Sequence, residues 1–316
     1  MVCFQCIFDS FAYLSLAYIL YRLFWSIYII IYPYLIATPL NLHKLAGNAK
    51  WAIITGSTDG IGKEYAKQLA QKGFNIILIS RTQTKLDSVK DEIKKECKNV
   101  EIETIAYDFK NANLDDYKKE ILSKIEKKDI GILVNNVGLA YECPDMLHKV
   151  DLQTNADICI VNTVGVSVLT AAVLPQMVKR NSGIIVNISS GTAYMNIPYL
   201  SIYSSTKAYI NHFTNILRSE YSDTNIIIQT ICPFYVKTNM SKVDETFFNL
   251  SPKNFVQSAL KTIGIIDETT GCIQHQIQAV AFGLPQFILD YGMKFQTEIF
   301  KKKAAAFQRE KSAKHK

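Results

Sequence analysis

Histidine and cysteine are too scarce and too scattered in this chain to build a metal centre. Its 316 residues include five His and seven Cys. Cys3 and Cys6 form a C-x-x-C, but no second pair and no His cluster stands beside it, so a zinc site lacks its other ligands. An odd cysteine count without repeated spacing also excludes a disulfide framework and fits a reducing compartment. Glycine (14) and proline (8) are few, which excludes long disordered tracts. Nor is there a basic body: six of the seven net positive charges fall in the last sixteen residues, Lys301 to Lys316. The near-neutral remainder offers no surface for nucleic acid, and the tail suits anionic lipid headgroups or plain solvation.

What the sequence does have is apolar length. Hydrophobic residues make up 48% of it, enough for one sizeable core or two medium domains. Phe11 to Ile36 is almost free of charge, and as a helix it runs about 39 Å, enough to cross a hydrocarbon core with tilt. Arg22 costs about 2.5 to 3.5 kcal/mol there, against roughly 0.3 to 0.6 returned by each Leu, Ile and Phe, so insertion comes out marginally favourable. A membrane anchor over residues 1–40 is therefore expected, with an interfacial helix as the alternative. Asp9 precedes the run and His43, Lys44 and Lys50 follow it, which puts the rest of the chain on the cytosolic side.

After a short polar linker (41–49), strand and helix patterns alternate. Strands are expected at Trp51–Thr55, Asn75–Ser80, Glu101–Tyr107, Gly131–Asn135, Gly183–Ile188 and Ile226–Ile231, with helices between them. Regular βα alternation with short connections calls for an α/β fold, a doubly wound parallel sheet with its site at the carboxyl ends of the strands. From Pro233 the pattern weakens: Val236 to Leu250 is polar with Phe247 and Phe248 paired, a helix is expected near Phe255 to Ile263, and Ala279 to Leu289 is apolar but too short to span.

The loop Thr55-Gly56-Ser57-Thr58-Asp59-Gly60-Ile61-Gly62 leaves a strand and enters a helix, the context in which spaced glycines let backbone N–H groups approach a pyrophosphate. The second strand ends in Ser80-Arg81, where enzymes selective for NAD carry an acid. A guanidinium there suits the 2′-phosphate of NADP. Asp108 follows the third strand, in reach of an adenine amine or as a plain turn aspartate. Asn135-Asn136-Val137-Gly138 ends the fourth, where its amides can brace neighbouring loops. Val236, by its backbone N–H, and Thr238, by its hydroxyl, are placed to hold a nicotinamide amide.

Ser190 closes the fifth strand, and Tyr203 and Lys207 share a helix face at i, i+4. A phenol ordinarily loses its proton near pH 10, and a fixed ammonium beside it is expected to draw that value down and make it a usable acid/base. Ser190 adds a second donor to the same substrate oxygen. On its own, Tyr-x-x-x-Lys is as well explained by packing. Asn162, mid-helix beside Gly165, is mildly unfavourable there and invites a role, such as holding a water that links Lys207 to solvent.

Together these motifs resemble the short-chain dehydrogenase/reductases, over about Lys50 to Thr238 and more loosely to residue 295, a Rossmann-like fold. The resemblance implies a tetrad of Asn162, Ser190, Tyr203 and Lys207, with Tyr203 and Lys207 also touching the cofactor and Ser190 and Tyr203 the substrate. More narrowly the chain is similar to the endoplasmic-reticulum subgroup of very-long-chain 3-oxoacyl-CoA reductases and 17β-hydroxysteroid dehydrogenases. Phe234 stands where most of the wider family has glycine, although this subgroup accepts an aromatic. The resemblance implies NADP(H), a ketone on a lipid substrate, an endoplasmic-reticulum membrane location and, from the fold, pairing into homodimers. The rival expectation is a membrane-tethered NADP-binding scaffold without turnover, against which the intact Ser, Tyr and Lys argue.

Overall fold

The computed structural model describes residues 4–283 and, beyond them, 288–289, 291–292, 294–295, 297–302 and 305–306. Cys3, most of the basic tail and the middle of the apolar run Ala279–Leu289 lie outside the described residues.

The N-terminal apolar run folds as α1 (Phe4–Ile31), closed by a π-helical turn (Tyr32–Ile36) that holds Pro33. It begins at Phe4 rather than Phe11, because the residues before Phe11 carry the same helical continuity. No residue of α1 is buried against the protein, so its apolar side chains face outward, as a helix in hydrocarbon needs. Arg22 is not left bare: its Nη1 donates to the Tyr18 hydroxyl one turn earlier, at 2.9 Å. At the end of the run the Tyr34 hydroxyl hydrogen-bonds Thr269 Oγ1, and Pro33 is buried. The stretch before the first strand also packs: α2 (Leu42–Leu45) is capped by Asn41, whose Oδ1 accepts from Lys44 N at 3.2 Å, and Leu42, Ala46 and Ala49 are buried.

Alternation then proceeds through β1 (Trp51–Thr55), α3 (Gly60–Gln71), β2 (Asn75–Ser80), α4 (Gln83–Glu96) and β3 (Ile102–Ala106). The single helix expected over Leu114–Lys127 is instead α5 (Leu114–Tyr117), a π turn (Lys118–Leu122) and α6 (Ser123–Ile125), leading to β4 (Ile130–Asn135). The second half is α7 (Leu152–Arg180), β5 (Gly183–Ile188), α8 (Ser201–Glu220), β6 (Ile226–Ile231), α9 (Pro252–Lys261), β7 (Glu268–Thr269) and α10 (Ile273–Ala279). At two residues β7 is shorter than any period-two pattern can reveal.

All neighbouring strands pair in parallel, in the order β3-β2-β1-β4-β5-β6-β7. Successive residues point to opposite faces, and both faces are covered. Ala52, Ile54, Ile76, Leu78, Ile132 and Val134 pack into one apolar cluster, while Ile53, Ile77, Ile79, Leu133 and Ile185 pack into the other. That two-sided burial is why the strands read as unbroken apolar runs. By length and composition α7 would also cross a bilayer, but half of its apolar window is buried inside the protein. It is a core helix, and this places Asn162 inside the fold.

Candidate active site

The strand order reverses between β1 and β4, so the loops leaving those two strands diverge and open a crevice at the carboxyl edge of the sheet. Behind β1 the chain turns at Gly56 (φ +63°) and enters α3 with Gly62 packed directly on the Gly56 carbonyl. Asn136 clamps this loop: its Nδ2 donates to Thr55 O at 2.9 Å and to Gly56 O at 3.2 Å. Thr55 Oγ1 in turn accepts from the amides of Asn136 (2.9 Å) and Val137 (3.0 Å). The Asn135–Gly138 motif makes Asn135 an expected neighbour of this loop as well. Its side chain points into the core, where Nδ2 donates to Thr170 Oγ1 at 3.0 Å and Asn187 Oδ1 at 2.8 Å. Adjacent residues at a strand end face opposite ways, and the sequence alone does not say which asparagine faces the crevice.

The remaining cofactor candidates gather around this loop. Ser57 Oγ donates to Ile79 O at 3.4 Å, and the hydroxyls of Thr58 and Ser80 lie 3.0 Å apart, tying the loop to the end of β2. Asp59 sits at the N-cap of α3 without a side-chain cap bond, and Ile61 packs against the core. Arg81 is exposed beside Ser80 and makes no hydrogen bond or ion pair among the described residues. Asp108 is exposed, and its carboxylate accepts from Lys110 N at 3.1 Å, as a turn aspartate does. Val236 is buried, and Thr238 stands over the glycine loop: a Cβ on Gly60 would lie 2.8 Å from Thr238 Cγ2.

Ser190, Tyr203, Lys207 and Asn162 converge beside that crevice. Lys207 is 4% exposed, its Nζ donates to Ile188 O at 3.0 Å, and it lies 5.8 Å from the centre of the Tyr203 ring. Ser190 Oγ accepts from Thr192 N at 3.2 Å and hydrogen-bonds the Tyr203 phenol. Asn162 grips the chain leaving β4: Oδ1 accepts from Leu139 N at 2.7 Å, while Nδ2 donates to Leu139 O at 3.0 Å and Thr206 Oγ1 at 2.9 Å. A side chain at Gly138 would sit 3.5 Å from both Asn162 Oδ1 and Lys207 Nζ, so glycine keeps the space in front of them open.

Residues outside the expected set hold this geometry. The Tyr141 hydroxyl accepts from Ile202 N at 3.1 Å and so caps α8, one residue before Tyr203. Thr206 Oγ1 donates to Tyr203 O at 2.8 Å, and Ser189 Oγ donates to Lys207 O at 2.9 Å. No spacing rule points to Tyr141, because its partner lies sixty-one residues away.

The electrostatics differ from the sequence expectation in one respect. Burial raises the Tyr203 phenol above its ordinary value, the Ser190 hydrogen bond draws it partly back, and the nearby Tyr235 adds to the rise. Lys207 does not outweigh that burial, and its own amine is depressed to about 8 by the same loss of water. The phenol therefore stays protonated at neutral pH, which suits a proton donor better than a base. For Lys207 the unfolded chain holds the proton more tightly between about pH 8 and the ordinary 10.5, so stability rises with pH across that window and is reduced below it. The penalty is at most about 3 kcal/mol, partly offset by the bond to Ile188. Lys207→Met is accordingly expected to match or exceed the wild-type melting temperature at pH 7 in the absence of cofactor while losing turnover at least a hundredfold. A fall of several degrees in a thermal scan would contradict this.

The residues present fit a nicotinamide dinucleotide. The crevice has a glycine-lined floor at a helix N-terminus, a guanidinium at the second strand that has no partner among the described residues, and a buried amine facing the space beside Gly138.

The short chain dehydrogenase model matches residues 50–247. The chain is 47% identical over 294 residues to the very-long-chain 3-oxoacyl-CoA reductase let-767 of Caenorhabditis briggsae, covering 92% of each. It is 44% identical over 243 residues to the very-long-chain 3-oxoacyl-CoA reductase of Bos taurus, covering 76% of this chain and 77% of the relative. Among solved structures, a short-chain dehydrogenase from Sphingobium yanoikuyae in complex with NADPH superposes with a TM-score of 0.61 at 27% identity, covering 67% of this chain and 83% of that one. With the reversed strand order, the glycine loop and the Ser-Tyr-Lys convergence already in place, the match over most of the folded body leaves one assignment: this chain belongs to the short-chain dehydrogenase family of oxidoreductases.

Proposed function

We propose that the protein is an NADPH-dependent reductase of a ketone on a long lipid substrate, a 3-oxoacyl-CoA of very long chain. The observation that carries the substrate class is the 47% identity, spanning 92% of both chains, to a reductase of that description. The exposed apolar helix α1 supports it, because a substrate of that kind partitions into the bilayer.

When bound, the reduced nicotinamide supplies the hydride. The chain does the rest. Ser190 and Tyr203 converge as donors on the ketone oxygen, and the Tyr203 phenol, protonated at neutral pH, passes its proton to that oxygen as it gains negative charge. Lys207, fixed by Ile188 O and Ser189, faces the gap beside Gly138, where it binds the ribose and stabilises the phenolate left behind. Asn162 holds the floor of that gap through Leu139.

NADP is favoured over NAD because Arg81 has no other partner among the described residues and no acid stands at the end of β2. Losing a charge-assisted bond to a phosphate costs about 1.5 to 3 kcal/mol. Arg81→Asp is therefore expected to weaken NADPH binding about tenfold to a hundredfold and to improve NADH binding. Fluorescence titration with both cofactors checks this, and an unchanged preference would remove Arg81 from the 2′-phosphate site.

The location that accords with these features is the endoplasmic-reticulum membrane, with the catalytic body facing the cytosol. The outer face of α7 and α8 has an apolar groove of about 430 Å³ lined by Ala171, Leu174, Val178, Phe213 and Leu217, where a second copy would pack in a homodimer. The deciding experiment for the activity is NADPH consumption by the full chain in microsomes. It is offered 3-oxoacyl-CoA of graded length and a set of steroid ketones. Reduction that grows with acyl length supports the proposal, whereas steroid-only reduction replaces the substrate and no reduction of any ketone removes the function.

A further inference from the structure

His275 takes no part in the chemistry above, yet it is fully buried and uses both ring nitrogens. Its Nδ1 accepts from Phe234 N at 3.2 Å, which leaves the ring proton on Nε2 to be donated to Phe248 O at 3.0 Å. Burial disfavours the charged form of this imidazole, and a charged ring could not accept from Phe234 at all. The ring lies between the side chains of Phe234 (5.8 Å, edge-on) and Phe255 (5.6 Å).

The two backbone groups it joins belong to different parts of the site. Phe234 opens the loop after β6. Its ring packs on Gly191, where a Cβ would lie 2.9 Å from it, directly after Ser190. Farther along the same loop Tyr235 is near enough to Tyr203 to raise its phenol, and Thr238 covers Gly60. Phe248 belongs to the excursion 239–250, which has no helix or strand and leaves Met240, Phe247 and Phe248 exposed. The base of the excursion is closed by Lys237 N to Leu250 O at 2.9 Å, and the 3.9 Å Lys237–Glu245 pair is half-exposed. A half-exposed pair at that separation holds little. Ser241 Oγ, donating to Val236 O at 2.6 Å, holds the start of the excursion, and the bond from His275 to Phe248 ties its far end to α10.

We propose that His275 is a positioning residue that joins the loop flanking Ser190 and Tyr203 to an apolar lip formed by 239–250, and that this lip receives the acyl chain of the substrate. The substrate half of the statement rests on the reading given under Proposed function; the mechanical half does not. One imidazole serves both tasks, so its two bonds can be cut separately. In His275→Asn the side-chain oxygen reaches the position of Nδ1 and keeps the bond from Phe234, while Phe248 O loses its donor. In His275→Gln the amide reaches the position of Nε2 and keeps Phe248, while Phe234 N loses its acceptor.

The test uses the full chain in detergent, with steady-state kinetics on a very-long-chain 3-oxoacyl-CoA, NADPH titration, and hydrogen–deuterium exchange read by peptide. His275→Asn should raise KM for the acyl substrate at least fivefold with kcat and NADPH affinity changed less than twofold, and exchange should quicken in 243–250 alone. His275→Gln should lower kcat about tenfold with faster exchange in 233–238. Equal effects of both variants on kcat and KM, or kinetics like wild type in both, would overturn the proposal and make His275 a filler of the core. If the variants fail to fold, the wild type still decides: a Phe234 amide that exchanges as fast as exposed loop amides overturns it. A wild type that reduces no acyl-CoA but shows slow exchange at Phe234, and in which the variants open the two segments separately, keeps the tie and removes the acyl chain from the lip.

Discussion

Tyr203→Phe loses turnover by about a hundredfold to ten-thousandfold while its affinity for NADPH stays within a factor of three. The first figure is what a positioned general acid contributes to a proton transfer. The second follows from what the substitution leaves alone. A phenyl ring fills the same space in the first turn of α8, so the packing of that helix is kept. Lys207 does not depend on the phenol for its place, because its Nζ is held by Ile188 O and its carbonyl by Ser189. The glycine loop is braced by Asn136 and Thr55, on the far side of the crevice. Only the proton and the bond to Ser190 disappear. NADPH consumption with a ketone substrate reads the first effect, and fluorescence titration the second. A variant that keeps a tenth of wild-type turnover would move the proton source elsewhere, with a Ser190-bound water as the next candidate. A variant that loses NADPH as well would show that the phenol holds the cofactor rather than the proton.

The sequence revealed what local pattern can carry. Strands with both faces buried show as apolar runs such as Trp51–Thr55 and Gly183–Ile188, and the glycine loop announces itself by its place between a strand and a helix. Tyr203 and Lys207 are four residues apart on one helix, so their shared face needs no tertiary information. What stayed hidden depends on distance along the chain. Tyr141 caps α8 from the far side of α7, and His275 meets Phe234 and Phe248 from the last described third of the chain. The linker reads as polar because Asn41, His43 and Asn48 are, yet Leu42, Ala46 and Ala49 bury their side chains and His43 Nε2 donates to Lys72 O at 2.7 Å. The expected lowering of the phenol by the lysine failed for a related reason. Proximity was legible, but the burial that raises the phenol was not.

Gly62→Ala is expected to damage the protein more than any other single methyl group added to the crevice. An alanine Cβ at this point would fall inside 3.0 Å of both the Gly56 carbonyl oxygen and Asn136 Nδ2. Neither can step aside. Gly56 is held at φ +63° with its amide donating to Ile79 O at 2.9 Å, and Asn136 is committed to Thr55 O and Gly56 O. The start of α3 must therefore swing outward, breaking the Asn136 bond and carrying the helix N-terminus away from the loop proposed to receive the pyrophosphate. Overpacking costs about 1 to 3 kcal/mol and the lost bond about 1 more. A fall in melting temperature of roughly 5 to 10 °C and at least a tenfold loss of NADPH affinity follow. The exposed, helical Gly292 provides the control, since nothing lies within 4 Å of a Cβ there, and Gly292→Ala should leave NADPH affinity unchanged and the melting temperature no lower. Equal behaviour of the two variants in a thermal scan and a cofactor titration would mean that the close approach of α3 to the Gly56 carbonyl does not shape the binding crevice.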